Sequence, residues 1–421
     1  MTPLLLFGLS AVAALYIWLF IEWVIRNLEV RHIHIPKIYR QPGLFYPLKY
    51  RLFRLILWLR KRQNEEKQRN KLASSTDSGY GVRSRNSPDE MDKLQELPED
   101  QPEAVDAVYF NGGNAQGVFM VAATARRHNN VVQTILYLRI PSIGLLELPS
   151  LPDTWLTSSD SFTSYSAGGL IIKPVKVMDT WSIKFDGLLR LAETGKQVEV
   201  NFDLLWKAYT KPFDFDTDLH PHVMADGIAR EKWSRKYFNN LKRVHQTHYE
   251  QFGNIQGTVH VTGYDDQNIM IQGVRDHSYG AIRDWKLFHR YVLNYVHLDD
   301  GTAICVGAIS MPVTLSRLVV GYVFHPDGSM DPVSSTDFEF YNWGDEGEPP
   351  DKLVLNFTAG EKSYYMMSDK IQCPVFYMGK DWDAKIYERF CNYSVNGVKG
   401  WGISEWDYRN LAGKNDKKIG K

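Results

Sequence analysis

Thirteen consecutive residues, Gly273-Val-Arg-Asp-His-Ser-Tyr-Gly-Ala-Ile-Arg-Asp-Trp285, set charge, imidazole and aromatic rings almost side by side. They follow the run Ile269-Met-Ile-Gln272 and so read as the continuation of a β-strand. Alternate residues of a strand share a face, so Arg275, His277, Tyr279, Arg283 and Trp285 project together if pairing stays regular. Gly280 is where a bulge would re-aim the second half. Core strands carry few ionisable groups, and those they carry are paired or used. Two readings fit: a salt-bridged polar knot that locks two sheets together, or an acid–base and aromatic site. Residue types alone leave both open.

Other chemistries find less support. His32-x-His34 and His220-x-His222 would align on a strand, but the second is flanked by Leu219 and Pro221, and Asp218 is the one acidic neighbour at ligand spacing. No metal site and no cofactor is expected. Ser278 adjoins His277, so the two face opposite ways and make no hydrolase pair. The chain has no nucleophile elbow, phosphate loop or dinucleotide fingerprint. Lys+Arg and Asp+Glu balance at 49 each, so overall charge gives no argument for a nucleic-acid partner. Cys305, Cys373 and Cys391 are too few for a disulfide framework, which favours a reducing compartment.

The elements that must position the 273–285 block are mostly strands. Aromatic residues make up 13% of the chain, as suits packed sheets. Residues 117–125 and 131–140 alternate around Arg126-Arg-His-Asn-Asn130, a hairpin; further strands are expected at 181–185, 188–191 and 198–204. Asp300-Gly301, Asp327-Gly328 and Asn396-Gly397 mark turns in the second half. Trp233, Tyr237, Leu241, Val244 and His248 keep helical spacing, which predicts one long amphipathic helix over 225–251.

The N-terminal part is different. Residues 3–25 are apolar but for Glu22 and exceed the roughly 20 residues needed to cross a bilayer, and Arg26, Arg31, Lys37 and Arg40 follow. This predicts a single-pass anchor with a cytoplasmic body, in the endoplasmic reticulum membrane. Residues 44–62 mix Leu, Phe and Trp with Lys and Arg, and Leu48, Leu52, Leu55 and Leu59 share a helical face, which suits the bilayer surface or packing on the body. The expected organisation is anchor and juxtamembrane helix over 1–62, disordered linker over 63–104, a first β domain over 105–224, a connecting helix over 225–251, a second β domain over 252–410 and a basic tail over 411–421.

The run His248-Tyr249-Glu250-Gln251, then Gly257-Thr-Val, Gly263 and the 273–285 block, resembles the hydroxyneurosporene synthase (carotenoid hydratase)-like superfamily over roughly residues 105–410. The part from about 106 to 285 is also similar to the N-terminal region of animal phosphoenolpyruvate-synthase-like proteins, without their nucleotide-binding or phosphohistidine domains, so a phosphotransferase is not implied. The resemblance implies a mostly β fold of two tandem lipocalin-like antiparallel barrels, more firmly than any activity. Such a barrel can enclose a hydrophobic ligand: an isoprenoid, a sterol or another lipid. An alkene hydratase would need an acid able to protonate carbon and aromatic faces to shelter the cation. Asp276 is the candidate acid if burial raises its pKa, and His277 would hold it or pass the proton on. Arg275, Tyr279, Arg283 and Trp285 would contact the ligand. Tyr279 stands where many relatives carry Trp. Glu405, between Trp401 and Trp406, reads as an exposed charge or as a partner for the block's basic residues. Three functions follow: a membrane-anchored lipid-binding protein, a terpenoid-type hydratase or isomerase, or a non-catalytic scaffold whose protein partners the sequence does not name.

Overall fold

The computed structural model describes residues 14–22, 35–69, 87–161 and 163–415. Its first sheet contains β1 (Val105–Gly113), β2 (Phe119–Arg126), β3 (Val131–Ile140), β4 (Gly144–Glu147), β5 (Trp155–Thr157), β6 (Tyr165–Ala167), β7 (Leu170–Lys176), β8 (Thr180–Leu191), β9 (Gln197–Ala208), β10 (Phe213–Asp214), β11 (Thr247–Val261) and β12 (Gln267–Gly280). Its second contains β13 (Arg290–Leu298), β14 (Ala303–Met311), β15 (Leu315–Phe324), β16 (Met330–Thr336), β17 (Lys352–Ala359), β18 (Lys362–Gln372), β19 (Val375–Met378), β20 (Ala384–Val395) and β21 (Val398–Arg409). In the first sheet β1-β2-β3-β4-β8-β9-β11-β12 pair antiparallel in a ring, with β12 returning to β1. In the second β13-β14-β15-β16-β17-β18-β20-β21 close the same way. The chain is therefore mostly β, with two closed eight-stranded antiparallel barrels in tandem.

Residue patterns explain the arrangement. Along β9, Val198, Val200, Phe202, Leu204 and Trp206 are buried and the residues between them exposed, the alternation of a wall with lumen on one side and solvent on the other. Every residue of β2 and of β15 is buried, because lumen lies on one side and the other barrel on the opposite side. Phe119 stacks on Phe390 at 5.1 Å, Tyr137 donates to the Val375 carbonyl at 3.0 Å and Thr154 to the Tyr377 carbonyl at 2.7 Å, all across that junction. At Asn396-Gly397 both residues have positive φ, 50° and 86°, as a tight hairpin between β20 and β21 requires. Gly112, Gly273 and Gly253 pair in a row across β1, β12 and β11. A Cβ on Gly273 would stand 2.1 Å from the Asn111 carbonyl oxygen, so the strands meet there at a separation only glycine permits.

Several expectations change. β11 and β12 belong to the first barrel, so it runs to residue 280 and the second starts at 290; the boundary is not at 252. The 225–251 segment is not one helix. Its residues fall on α3 (Pro221–Arg230), α4 (Arg235–Arg243) and the start of β11. Glu231 turns extended and Ser234 starts a new helix by accepting from the Tyr237 N–H at 3.1 Å. These helices lie within the first barrel's chain; the link between barrels is a short segment with a 3-10 turn at Trp285–Leu287. Residues 180–191 form one continuous strand through Asp186-Gly187.

Nor is 63–104 wholly a linker. Helix α1 (Tyr46–Arg69) extends into it, residues 70–86 lie outside the described residues, and α2 (Pro88–Met91) delivers Met91 and Asp92 into the mouth of the first barrel, where both are buried. A polar segment needs only one carboxylate with a buried partner to dock. Helix α1 packs on α3, with Tyr46 donating to Asp226 at 2.5 Å and Tyr50 Oη 2.7 Å from His222 Nδ1. Among the described residues no helix is long and apolar enough to cross a membrane. Of the expected span 3–25, residues 14–22 are helical and the rest lies outside the described residues, as do residues 416–421.

Candidate functional site

β12 has two faces and each builds a different environment. Arg275, His277 and Tyr279 point into the first barrel; Asp276 and Ser278 point toward the second.

On the lumen side every charge meets a partner. Arg275 Nη1 donates to Asp92 Oδ1 at 2.5 Å and Nη2 to Gln251, while the guanidinium lies 5.0 Å from the Trp181 ring, 5.3 Å from Trp206 and 5.2 Å from Tyr249. Burial pushes the Asp92 carboxyl up, but Arg275, the Tyr249 hydroxyl and the Met178 N–H outweigh it and hold it below the usual range. His277 bridges Tyr249 Oη at 2.8 Å and Asp106 Oδ1 at 2.8 Å; Arg126 completes the pairing by donating to Asp106 Oδ2 at 2.6 Å. Trp181, Trp206, Phe110, Arg275 and His277 have 0–1% of their surface accessible, which leaves no ligand-sized space among them. This is the polar knot.

The junction side is the opposite case: many acids, few cations. β11 alternates, so His248 and Glu250 face the junction while Tyr249 and Gln251 face the lumen. β1 sends Tyr109 and Asn111 there, β12 sends Asp276, and the second barrel sends Tyr291 and Tyr295 from β13, Tyr322 from β15, Glu388 from β20 and Glu405 and Asp407 from β21. Glu250 accepts from Tyr295 at 3.0 Å and Tyr322 at 2.6 Å, and its Oε1 lies 3.1 Å from His248 Nε2. His248 Nδ1 is 3.3 Å from Asp276 Oδ1. Tyr109 donates to Glu388 at 3.0 Å, and Tyr291 donates to Glu405. Glu388 and Glu405 are direct cross-strand partners, as are Tyr291 and Asp407.

Five carboxylates thus share the junction with two basic groups, His248 and Arg283. Arg283 is engaged with Gln246 and donates to Ser278 Oγ at 2.8 Å. Like charges in a dry space hold on to protons. Burial comes first in raising Glu388, and Glu405 opposite it raises it further, well above an ordinary glutamic acid. Glu405 is pushed up to about 7 by burial, with Asp276 and Glu250 adding to it. Burial also lifts Asp276, although His248 and Arg283 pull it down, and lifts Asp407, neither of whose oxygens has a hydrogen-bond partner. Burial disfavours the His248 cation, but Asp276 and Glu250 outweigh it and its pKa is raised. Of the two bases only His248 is raised; burial outweighs the surrounding acids at Arg283 and lowers it. Asp276 and His248 keep 17% and 24% of their side-chain surface accessible, so the cluster is reached from their side. Such a set can donate a proton near neutral pH and take one back a few ångströms away.

A family profile matches residues 11–408. The chain belongs to DUF8627, a family of unknown function. No curated protein matches it in sequence. Among solved structures it is similar to one described as AttH from Nitrosomonas europaea, at 11% identity over 76% of this chain and 98% of that one, with a TM-score of 0.49. It is also similar to CghA with Sch210972, at 10% identity over 80% and 96%, TM-score 0.46, and to kievitone hydratase from Nectria haematococca, at 13% identity over 79% and 97%, TM-score 0.41. Of the hydroxyneurosporene synthase-like resemblance, the tandem-barrel architecture is present, and the family description adds no activity.

The structure separates the residues that the 273–285 block sets side by side. Asp276 and His277 face opposite sides of β12, so His277 cannot hold Asp276 or relay its proton; His248 occupies that position. Arg275 and Tyr279 face the lumen with His277 rather than a ligand. The strand ends at Gly280, so Arg283 and Trp285 leave its alternation. Arg283 turns to the junction, and Trp285 packs beside it, 5.6 Å from the Phe288 ring. Among the described residues no arginine forms an ion pair with Asp276, whose charged neighbour is His248 at 3.3 Å. Glu405 is buried, not an exposed charge of the last strand. Sequence reasoning misses Glu250, Glu388, Asp407 and the four tyrosines; the signal that could have found them is acid inside aromatic strand sequence, as in Tyr387-Glu-Arg-Phe390 and Ser404-Glu-Trp-Asp-Tyr408.

Proposed function

We propose that the chain is an acid–base enzyme of the hydratase or isomerase type, working at the junction of its two barrels on an uncharged alkene such as a terpenoid-like chain. The observation that carries this is the buried group of Asp276, Glu388, Glu405 and Asp407, all held protonated to higher pH than free carboxylic acids, and among the described residues without an ion-pairing arginine or lysine. Alkene hydration needs a neutral acid close to carbon, which ordinary surface carboxylates are not at neutral pH. Asp276, the accessible acid, would give its proton to one alkene carbon. The electron-poor neighbouring carbon, faced by the rings of Tyr109 and Tyr291, would take a water molecule. The added water would then lose a proton to the cluster, restoring its proton count; loss of a proton from an adjacent carbon instead would give the isomer.

With the first lumen filled, the ligand would lie beside Asp276 and His248, which keep 17% and 24% of their side-chain surface accessible. The test is incubation of the full chain with a panel of prenylated and terpenoid alkenes in isotopically labelled water, read by mass spectrometry. Label should enter a substrate with wild type and not with Asp276→Asn or Glu405→Gln. Equal labelling by both variants, or no labelling of any uncharged alkene, would refute the proposal.

A further inference from the structure

Of the 24 large apolar side chains exposed among the described residues, 13 fall within residues 15–59. A patch of that size on a folded protein marks something it meets. Helix α1 carries two apolar faces. Phe53 and Leu57 enter the core, on the side where Tyr46 and Tyr50 bond to α3. Roughly opposite on the helix, Leu48, Leu52, Leu55 and Leu59 form a stripe, each 43–50% exposed. The helical segment 14–22 lies alongside: the Arg51 guanidinium sits 5.3 Å from the Trp18 ring, and Arg62 sits 4.0 Å from Trp58.

We propose that this face lies in the headgroup–acyl boundary of a bilayer carrying anionic lipid. Between residues 46 and 64 the helix has six cations and no acid, so its charge complements a negative lipid surface. The arginines flank the leucine stripe with long stems and rings beside them, so their heads can reach the phosphates while the leucines enter the acyl layer. A protein partner would equally want acids to meet those cations, but a continuous leucine and aromatic strip without a polar acceptor suits a fluid surface better than a shaped one. Helix α3, on which α1 sits, packs in turn on β15 of the second barrel, where Arg317 lies 4.0 Å from Asp226 and the Ser316 N–H donates to Glu231 just past the helix at 2.8 Å.

The experiment uses the full chain reconstituted with vesicles of phosphatidylcholine alone or mixed with phosphatidylserine. An environment-sensitive fluorophore is attached at Leu55→Cys in a Cys373→Ser background, with Met270→Cys on the exposed face of β12 as the control. The label at 55 should shift to the blue and be quenched by brominated lipid only when vesicles are present, and more with phosphatidylserine; the label at 270 should report water in every case. Changing Arg51, Arg54 and Arg62 to Gln together should remove that preference, lowering the partition coefficient onto phosphatidylserine vesicles about fivefold for each charge, the equivalent of about 1 kcal/mol apiece. Water-like emission at 55 on vesicle-bound protein would overturn the proposal. So would a blue shift at 55 without vesicles, since another segment or a second copy would then cover the face. A phosphatidylserine preference unchanged in the triple variant would overturn the assignment to anionic lipid.

Discussion

Replacing Glu405 by Gln should make the protein more stable, and only above a definite pH. Glu405 is 9% exposed, accepts a hydrogen bond from Tyr291 and faces Glu388 across the β20–β21 pair. Burial first, then Asp276 and Glu250, push its pKa from the ordinary 4.5 up to about 7, against the Tyr291 bond. Between those values the native state holds a proton that the unfolded chain has released. The group's contribution is therefore fully present below pH 4.5, declines as the pH rises and is lost by about 7. The gap corresponds to about 3 kcal/mol. Gln keeps the size of the side chain and the acceptor for Tyr291 but cannot ionise. The variant should match wild type, or fall slightly below it, near pH 4.5. It should gain about 3 kcal/mol by roughly pH 8, more if relief of Glu388 adds to it. Urea denaturation of both proteins, followed by tryptophan fluorescence across this range, gives the difference directly, and other titrations largely cancel in it. A difference that does not vary with pH would refute the reasoning, because Glu405 would then ionise as an exposed glutamate does.

Asp92→Ala should cost about 3–5 kcal/mol, since it strands the buried Arg275 guanidinium, and hydrogen exchange should quicken across residues 87–104; unchanged exchange there would mean that the pair does not hold this segment. His277→Ala should cost about 1–3 kcal/mol in denaturation experiments by leaving Asp106 and Tyr249 short of a partner, whereas Trp285→Ala should cost about 3–5 kcal/mol for the loss of a buried ring. Burial holds the His297 pKa down at about 3, so the folded imidazole stays neutral while the unfolded one takes a proton near 6.5; this stability is present above pH 6.5 and lost as the pH falls toward 3. His297→Gln should flatten the acid limb of the stability curve by on the order of 5 kcal/mol at its low end, and an unchanged limb would show that the ring is reached by water.

Short, mainly apolar runs bounded by Arg126-Arg-His-Asn-Asn130 make β2 and β3 legible in the sequence, although both are buried on both faces and do not alternate, and Asn396-Gly397 specifies its turn through φ values that only such residues adopt easily. Helical spacing from Trp233 to His248 misleads because the spacing carries on across the end of α4, at Val244, and into a strand. Asp276 can be picked out as an acid inside a strand, but its company cannot. Glu388 and Glu405 are more than a hundred residues away in the other barrel, and pairing at that range leaves no local trace. Pairing Asp276 with His277 fails on the alternation that identifies the strand: neighbours in sequence occupy opposite faces.

The two-faced strand also acts as a register lock. If β12 slid by one residue against β1, Asp276 would enter the first barrel beside Asp92 and Asp106 while Arg275 and His277 left it, and three carboxylates would face one arginine, Arg126. The same slip would drive Val274 or Gln272 into the close approach that Gly112 and Gly273 make. Charge on one side and backbone contact on the other thus reject the same misalignment, so the register that closes the first barrel is specified twice over, and with it the position of Asp276 on the junction face.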